Sequence, residues 1–318
     1  MNRRGLLALV LIAAGTVHAQ NFPTRPIRWV VPFAAGGGAD VVGRPVALAM
    51  GELLGQPIVY DNRGGGNGMI AGEIVARAAP DGYTLLLGGP AILTANPHLY
   101  RKMPFDVERD FVPITKIAGA PNVMGAHPGL PARNVQELID YAKTNPNKIN
   151  WASSGIGTGG HIAVELFMMR TGTKVTHISF KGAGPALVSL MAGDVQLLVA
   201  VPGVFLQHLK TGRVRALATT GKTRFEHLPD LPTVAETVPG YDMRGWYGFV
   251  APAAVPRDII TLLNAEINRA TSLPDVREKL VQAGLDIPAE SPEYFADLIK
   301  RESAKFAKLV RDAGLTPQ

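Results

Sequence analysis

The sequence predicts an α/β protein of two domains, each a mostly parallel sheet flanked by helices, joined by two crossovers that form a hinge. Three observations lead there. Short apolar runs alternate with helical patterns twice along the chain. A glycine-rich turn follows a strand at the corresponding place in each half, around Gly36 and around Gly155. A final strand with three helices is too little for a third core, so it has to return to the first half.

In the first half, Ile27–Val31 reads as a buried strand and residues 41–54 as a helix, with Val42, Val46, Ala49 and Leu53 at helical spacing. Pro45 is placed in that helix's first turn, fixing its start near Asp40. Residues 57–60 form a second strand, 61–68 a glycine-rich turn, 69–79 a helix ended by Pro80-Asp81-Gly82, and 83–88 a third strand. The grammar restarts past Ile114: strand Val123–Ala126, helix 134–145 opened by Asn134 with Glu137 at the capping-box position, and strand 148–152. Helix 161–171, with Ile162, Leu166 and Met169 on one face, leads to strand 175–178. Segments 184–192, 196–201, 203–211 and 214–218 continue the alternation. Beyond the proline-rich 228–233 come a strand at 246–252 and helices at 257–268, 274–283 and 292–313. The expected division is residues 20–122 with 246–318 as one domain and 123–245 as the other, with crossings near Pro121 and Gly245.

Arg3 and Arg4, an apolar run of about ten residues and the small-residue site Val17-His18-Ala19 read as a secretory leader, residues 1–19, cleaved after Ala19. The run is half of what a bilayer span requires, so no membrane anchor is expected and the mature chain is expected to be exported. Loss of the leader lowers the formal net charge from +6 to +4. This mild excess is spread along the chain without basic blocks or interleaved aromatics, which argues against nucleic-acid binding. Zero cysteines exclude a disulfide framework and thiolate zinc sites. No His, Asp or Glu cluster stands at metal-ligand spacing, and neither metal nor cofactor is expected.

The strand Val30-Val31-Pro32-Phe33 runs through Ala34-Ala35 into Gly36-Gly37-Gly38-Ala39-Asp40. Such a turn is an ordinary strand-to-helix connection or a cradle for a small anion, because glycines bare the peptide N–H groups and the following helix aims its positive end at the same point. A dinucleotide fingerprint needs a further glycine where Val41 or Asp40 stands, although Asp61 occupies the place of a ribose-binding acid. The second copy is Ser153-Ser154-Gly155-Ile156-Gly157-Thr158, followed by His161. It lacks G-x-S-x-G, since Trp151 and Ala152 precede Ser153, and its hydroxyls read as ligand donors rather than nucleophiles. His161 reads as a helix-start residue or a ligand contact, Asn62 to Gly68 as a surface loop or a cleft rim, and Trp246 and Tyr247 as hinge packing in preference to ligand stacking. An exported hydrolase or dinucleotide enzyme, or a receptor that only signals, is the alternative to a solute carrier.

Along nearly the whole mature chain the sequence resembles the periplasmic substrate-binding proteins of tripartite tricarboxylate transporters, the Bug or TctC-like receptors. The resemblance rests on Pro26-Ile27-Arg28, Val31-Pro32-Phe33, Gly36-Gly37 to Asp40, Asp61-Asn62-Arg63, Ala79-Pro80-Asp81-Gly82-Tyr83-Thr84-Leu85-Leu86, Glu137-Leu138-Ile139 with Tyr141-Ala142-Lys143, His161-Ile162-Ala163, Phe180-Lys181-Gly182, Leu217-Ala218, Leu231-Pro232-Thr233-Val234-Ala235-Glu236 and Ala251-Pro252 in that order. It implies a Venus-flytrap receptor, not an enzyme. A monomer would hold a small carboxylate (di- or tricarboxylate, or aromatic) between its domains and serve the membrane permease of such a transporter. The expected ligand-binding residues are Phe33, Gly36, Gly37, Gly38, Ala39, Asp40, Gly89, Ala91, Ser153, Ser154, Gly155, Gly157, Thr158, His161 and Ala200. Two departures stand out. Ala34-Ala35 replace two prolines common in the family, and Ala200-Val201 replace an Asp or Asn, removing the natural partner of a ligand ammonium group.

Overall fold

The structure, a computed structural model, describes residues 22–156 and 158–312. The expected leader at 1–19, the expected site residue Gly157 and Ala313 at the end of the last helix lie outside the described residues.

The first half runs β1 (Ile27–Val31), α1 (Gly38–Leu54), β2 (Ile58–Asn62), α2 (Met69–Ala76), β3 (Thr84–Gly88), α3 (Asn96–Leu99), α4 (Val107–Asp110) and β4 (Phe111–Pro121). The middle runs β5 (Val123–Ala126), α5 (Val135–Thr144), β6 (Asn150–Ser153), α6 (Gly159–Thr171), β7 (Thr176–Ser179), α7 (Ala183–Ala192), β8 (Leu197–Ala200), α8 (Leu206–Lys210), β9 (Arg215–Thr219) and α9 (Val234–Thr237). The chain closes with β10 (Arg244–Pro252), α10 (Arg257–Ser272), α11 (Pro274–Gln282) and α12 (Pro292–Asp312).

Two five-stranded sheets result, ordered β2-β1-β3-β10-β4 and β7-β6-β8-β5-β9. In each, four strands run one way and the fifth, β10 or β5, runs against both neighbours. The reversed strand is in both cases the one that follows a crossover. Strand alternation buries both faces of the first sheet: Trp29 and Val31 meet Val42, Val46 and Met50 of α1, while Val30 meets Ala71 and Val75 of α2. The second sheet repeats this, with Trp151 packed edge-on to Phe167 of α6 at 5.2 Å and Ala152 against α7.

Three expectations need correction. Helix α1 begins at Gly38 and Pro45 lies in its interior, where the carbonyl it cannot satisfy belongs to the exposed Val41. Strand β4 carries no assignment from its pattern, because Pro113 and Pro121 break the run. It is held by a ladder with β10 that reaches from Pro252↔Phe111 to Arg244↔Pro121. Helix α12 does not stay with the first half: Phe295 and Ile299 join the first sheet's core, whereas Phe306 joins the second's.

Candidate functional site

The turn after β1 is held by Asp40, not opened by it. Its carboxylate accepts the N–H of Gly36 at 2.8 Å, Asn62 Nδ2 at 3.0 Å and Arg44 Nε at 3.0 Å. Burial opposes ionisation, but the Gly36, Asn62 and Arg44 hydrogen bonds outweigh it and hold the carboxyl below its usual range. Gly38 and Ala39 then present the first-turn N–H groups of α1, which have no intrahelical acceptor, to a cavity between the two sheets.

That cavity, about 60 Å³, is walled by residues of both halves. Phe33, Gly37, Gly38, Ala39, Gly89, Pro90 and Ala91 line it from one side, and Ser154, Thr158, Gly159, Gly160, Gly182, Ala183, Val199, Ala200 and Val201 from the other. Asn122, Gly245, Trp246 and Tyr247 line it at the crossovers. The N-termini of three helices of ten or more residues, α1, α6 and α7, converge on one space. Among the described residues the lining contains no Asp, Glu, Lys, Arg or His, and its only ionisable side chain is the Tyr247 phenol, pushed up by burial and by the Asp40 charge. Such a wall of amide and hydroxyl donors suits an anion and supplies no negative charge to an ammonium group.

The halves are closely apposed here. A Cβ on Gly38 would lie 2.7 Å from the Tyr247 hydroxyl and 2.9 Å from Val201 Cγ2, so only glycine lets α1 approach β8's end. A Cβ on Gly160 would lie 2.4 Å from the Val199 carbonyl, which fixes α6 against β8 in the same way. A larger chamber of about 450 Å³ shares Phe33, Ala91, Ser154 and Thr158 with the cavity and extends along the Gly64 to Gly68 loop, Tyr100, Phe180 and Lys181. The loop at Asn67 is fastened by hydrogen bonds to Tyr100 and Asn96, making it a chamber wall rather than a free surface loop.

Of the expected site residues, Phe33, Gly37, Gly38, Ala39, Gly89, Ala91, Ser154, Thr158 and Ala200 line the cavity, and Gly155 lines the chamber. Gly36, Asp40, Ser153 and His161 line neither. Ser153 is fully buried; its hydroxyl donates to Gly155 O at 3.0 Å and lies 2.7 Å from His177 Nε2, while the His161 ring stacks on His177 at 4.3 Å. With its proton on Gly155 O, Ser153 accepts from His177, the reverse of nucleophile activation. The pattern missed Gly182-Ala183, Asn122, Gly245 and the wall position of Tyr247. Phe180-Lys181-Gly182 before α7 repeats the strand–glycine–helix grammar and was the available signal for the third helix end. Among the described residues, Glu226, His227 and Asp286 bring ligand atoms within 4.8 Å of one another, a cluster invisible in sequence spacing, but Asp286 is already paired with Arg244.

A family model described as the tripartite tricarboxylate transporter family receptor, TctC, matches residues 42–315. The chain belongs to this receptor family. TctC receptors are solute-binding proteins of the periplasm, not enzymes. Protein BugT of Bordetella pertussis is 35% identical over 322 residues, covering 99% of this chain and 99% of BugT. Among solved structures, the R. palustris protein Rpa4515 with adipate superposes with a TM-score of 0.90 at 36% identity, covering 93% of this chain and all of that one. MatC from Rhodopseudomonas palustris with bound malate gives 0.86 at 32% identity, covering 91% and 100%.

Proposed function

We propose that this TctC receptor captures a small carboxylate in the cavity between its sheets and delivers it to the permease of a tripartite transporter. The observation that carries the reading is the convergence of three helix N-termini on a cavity without a charged side chain. One ligand carboxylate accepts from the N–H groups of Gly38 and Ala39, and from those of Gly159 and Gly160 with the hydroxyl of Ser154, while the Thr158 hydroxyl proton is held by the Gly155 carbonyl at 2.7 Å. Gly182 and Ala183 close the ring. Hydrogen bonds to a charged group contribute roughly 1.5–3 kcal/mol each, so four or five supply about 6–15 kcal/mol gross, the range from which micromolar binding near 8 kcal/mol is left after ordering costs. The carbon skeleton extends into the chamber along Phe33 and Phe180.

Residues 20–122 with 246–318 and residues 123–245 act as the two jaws, turning about the crossovers at Pro121 and Gly245, with the end of α12 reaching across to the second jaw through Phe306. The leader at 1–19 is removed after Ala19 on export. Closure around the ligand makes contacts the open form lacks, and the closed face is what the permease recognises. Titration calorimetry with a panel of mono- and dicarboxylates, including adipate and malate, against amino acids and neutral sugars tests this. Binding of one or more carboxylates with amino acids and sugars silent is expected; binding of an amine or a sugar with every carboxylate silent overturns it.

A further inference from the structure

Asn122 is the one residue between β4 and β5, and its main chain is bonded twice to Thr220: its N–H donates to Oγ1 at 2.8 Å, and its carbonyl accepts the Thr220 N–H at 2.9 Å. Thr220 in turn accepts the Met243 N–H at 2.8 Å and gives its hydroxyl proton to the Met243 carbonyl. Both crossovers are thus tied through one threonine. The Asn122 side chain sits on the cavity wall between Gly159 and Gly245. A Cβ on Gly159 would lie 3.1 Å from Nδ2, and one on Gly245 3.3 Å from Oδ1. Glycine on both flanks leaves room for the amide in the wall of the cavity.

The Asn122 residue is 3% exposed, and its Nδ2 is buried without a hydrogen-bond partner. A buried N–H that no protein acceptor satisfies is unfavourable, and the lining supplies no carboxylate of its own. We propose that Asn122 Nδ2 donates to the ligand's carboxylate at the hinge, so that cleft occupancy is sensed by a crossover residue bonded to Thr220, the threonine through which both crossovers are tied. The inference rests on the carboxylate reading above. It makes Asn122 a specificity determinant: an uncharged side chain whose N–H donates to an anion and that carries no negative charge to balance a cation.

The test uses the mature full chain with adipate and malate as probes, calorimetry at pH 8 and pH 5.5, and the ligand-free Tm. Asn122→Ala should keep its ligand-free Tm within about 2 °C of wild type, because Nδ2 makes no bond to lose, while binding about 10- to 100-fold more weakly. Asn122→Asp should lose at least about 100-fold at pH 8, where carboxylate faces carboxylate. It should recover about 10-fold or more at pH 5.5 as the buried acid beside an anion takes up a proton and becomes a donor. Wild-type binding with both variants within twofold at pH 8 overturns the role of Asn122 and leaves the carboxylate reading standing. A wild-type protein that binds neither these probes nor any other carboxylate of the panel overturns that reading and this assignment together.

Discussion

The Ser153 hydroxyl and His177 Nε2 lie 2.7 Å apart, linking the last residue of β6 to β7 next to the Ser154-Gly155 turn. Burial, reinforced by the neighbouring His161 and only partly opposed by Glu165, pushes the His177 pKa down to about 4. A histidine whose folded pKa lies below its unfolded value favours folding above the unfolded value, near 6.5, and that advantage is lost as pH falls from there toward 4. Stability measured by urea unfolding should fall by on the order of 3 kcal/mol between pH 7.5 and pH 4, and His177→Gln should flatten that slope. An unchanged slope in the variant would assign the acid lability to other groups.

Gly38→Ala adds a methyl group that meets the Tyr247 hydroxyl and Val201. Tyr247 belongs to the same half as Gly38, so its contact persists when the jaws part, and ligand-free stability should fall by about 1–3 kcal/mol, offset in part by alanine's helix propensity. Carboxylate affinity should fall about tenfold or more, and adding Val201→Ala should recover part of it. Independent, additive effects of the two substitutions would refute the clash.

Asp40→Ala leaves the Gly36 N–H, Asn62 and Arg44 without their common acceptor. The turn that aims the N-terminus of α1 should loosen, costing about 1–3 kcal/mol of stability and weakening binding although Asp40 lines no part of the cavity. Proteolysis at Ala34 to Gly38 without ligand should accelerate; a variant as protected as wild type would show that the turn holds without the carboxylate.

Thr220→Val removes the hydroxyl that serves both crossovers while keeping the side-chain volume. The Asn122 N–H and Met243 carbonyl are stranded, and about 1–3 kcal/mol of stability should be lost. The change in radius of gyration on ligand binding, read by small-angle scattering, should shrink as the jaws lose a common pivot. A variant that closes as far as wild type would locate the pivot elsewhere.

Much of the site is legible in the chain because it is built from local backbone chemistry. Phe33, Gly37, Gly38, Ala39, Ser154 and Thr158 sit in strand–turn–helix segments whose conformation a few neighbouring residues dictate, and all six line the cavity. Asp40 and Ser153 belong to the same segments, yet their side chains turn inward, because Asn62 and His177 arrive from other strands to receive them and Arg44, one turn along α1, joins at Asp40. Asn122 and Tyr247 have no local pattern; they matter through what lies across the crossovers. Strand β4 is similarly opaque, since only its ladder with β10 makes it a strand.

The sequence by itself determined the alternation of strands and helices, the glycine turns that bare helix ends, and the return of the last strand to the first sheet. Each of these follows from periodicity or from backbone freedom within a few residues. The tertiary structure decided that three helix ends meet in one uncharged cavity, that α12 reaches the second core, and that Asn122, Thr220 and Met243 join the two crossovers. Those relations pair residues tens to more than a hundred positions apart, and the packing of two sheets, which no local pattern encodes, brings them together.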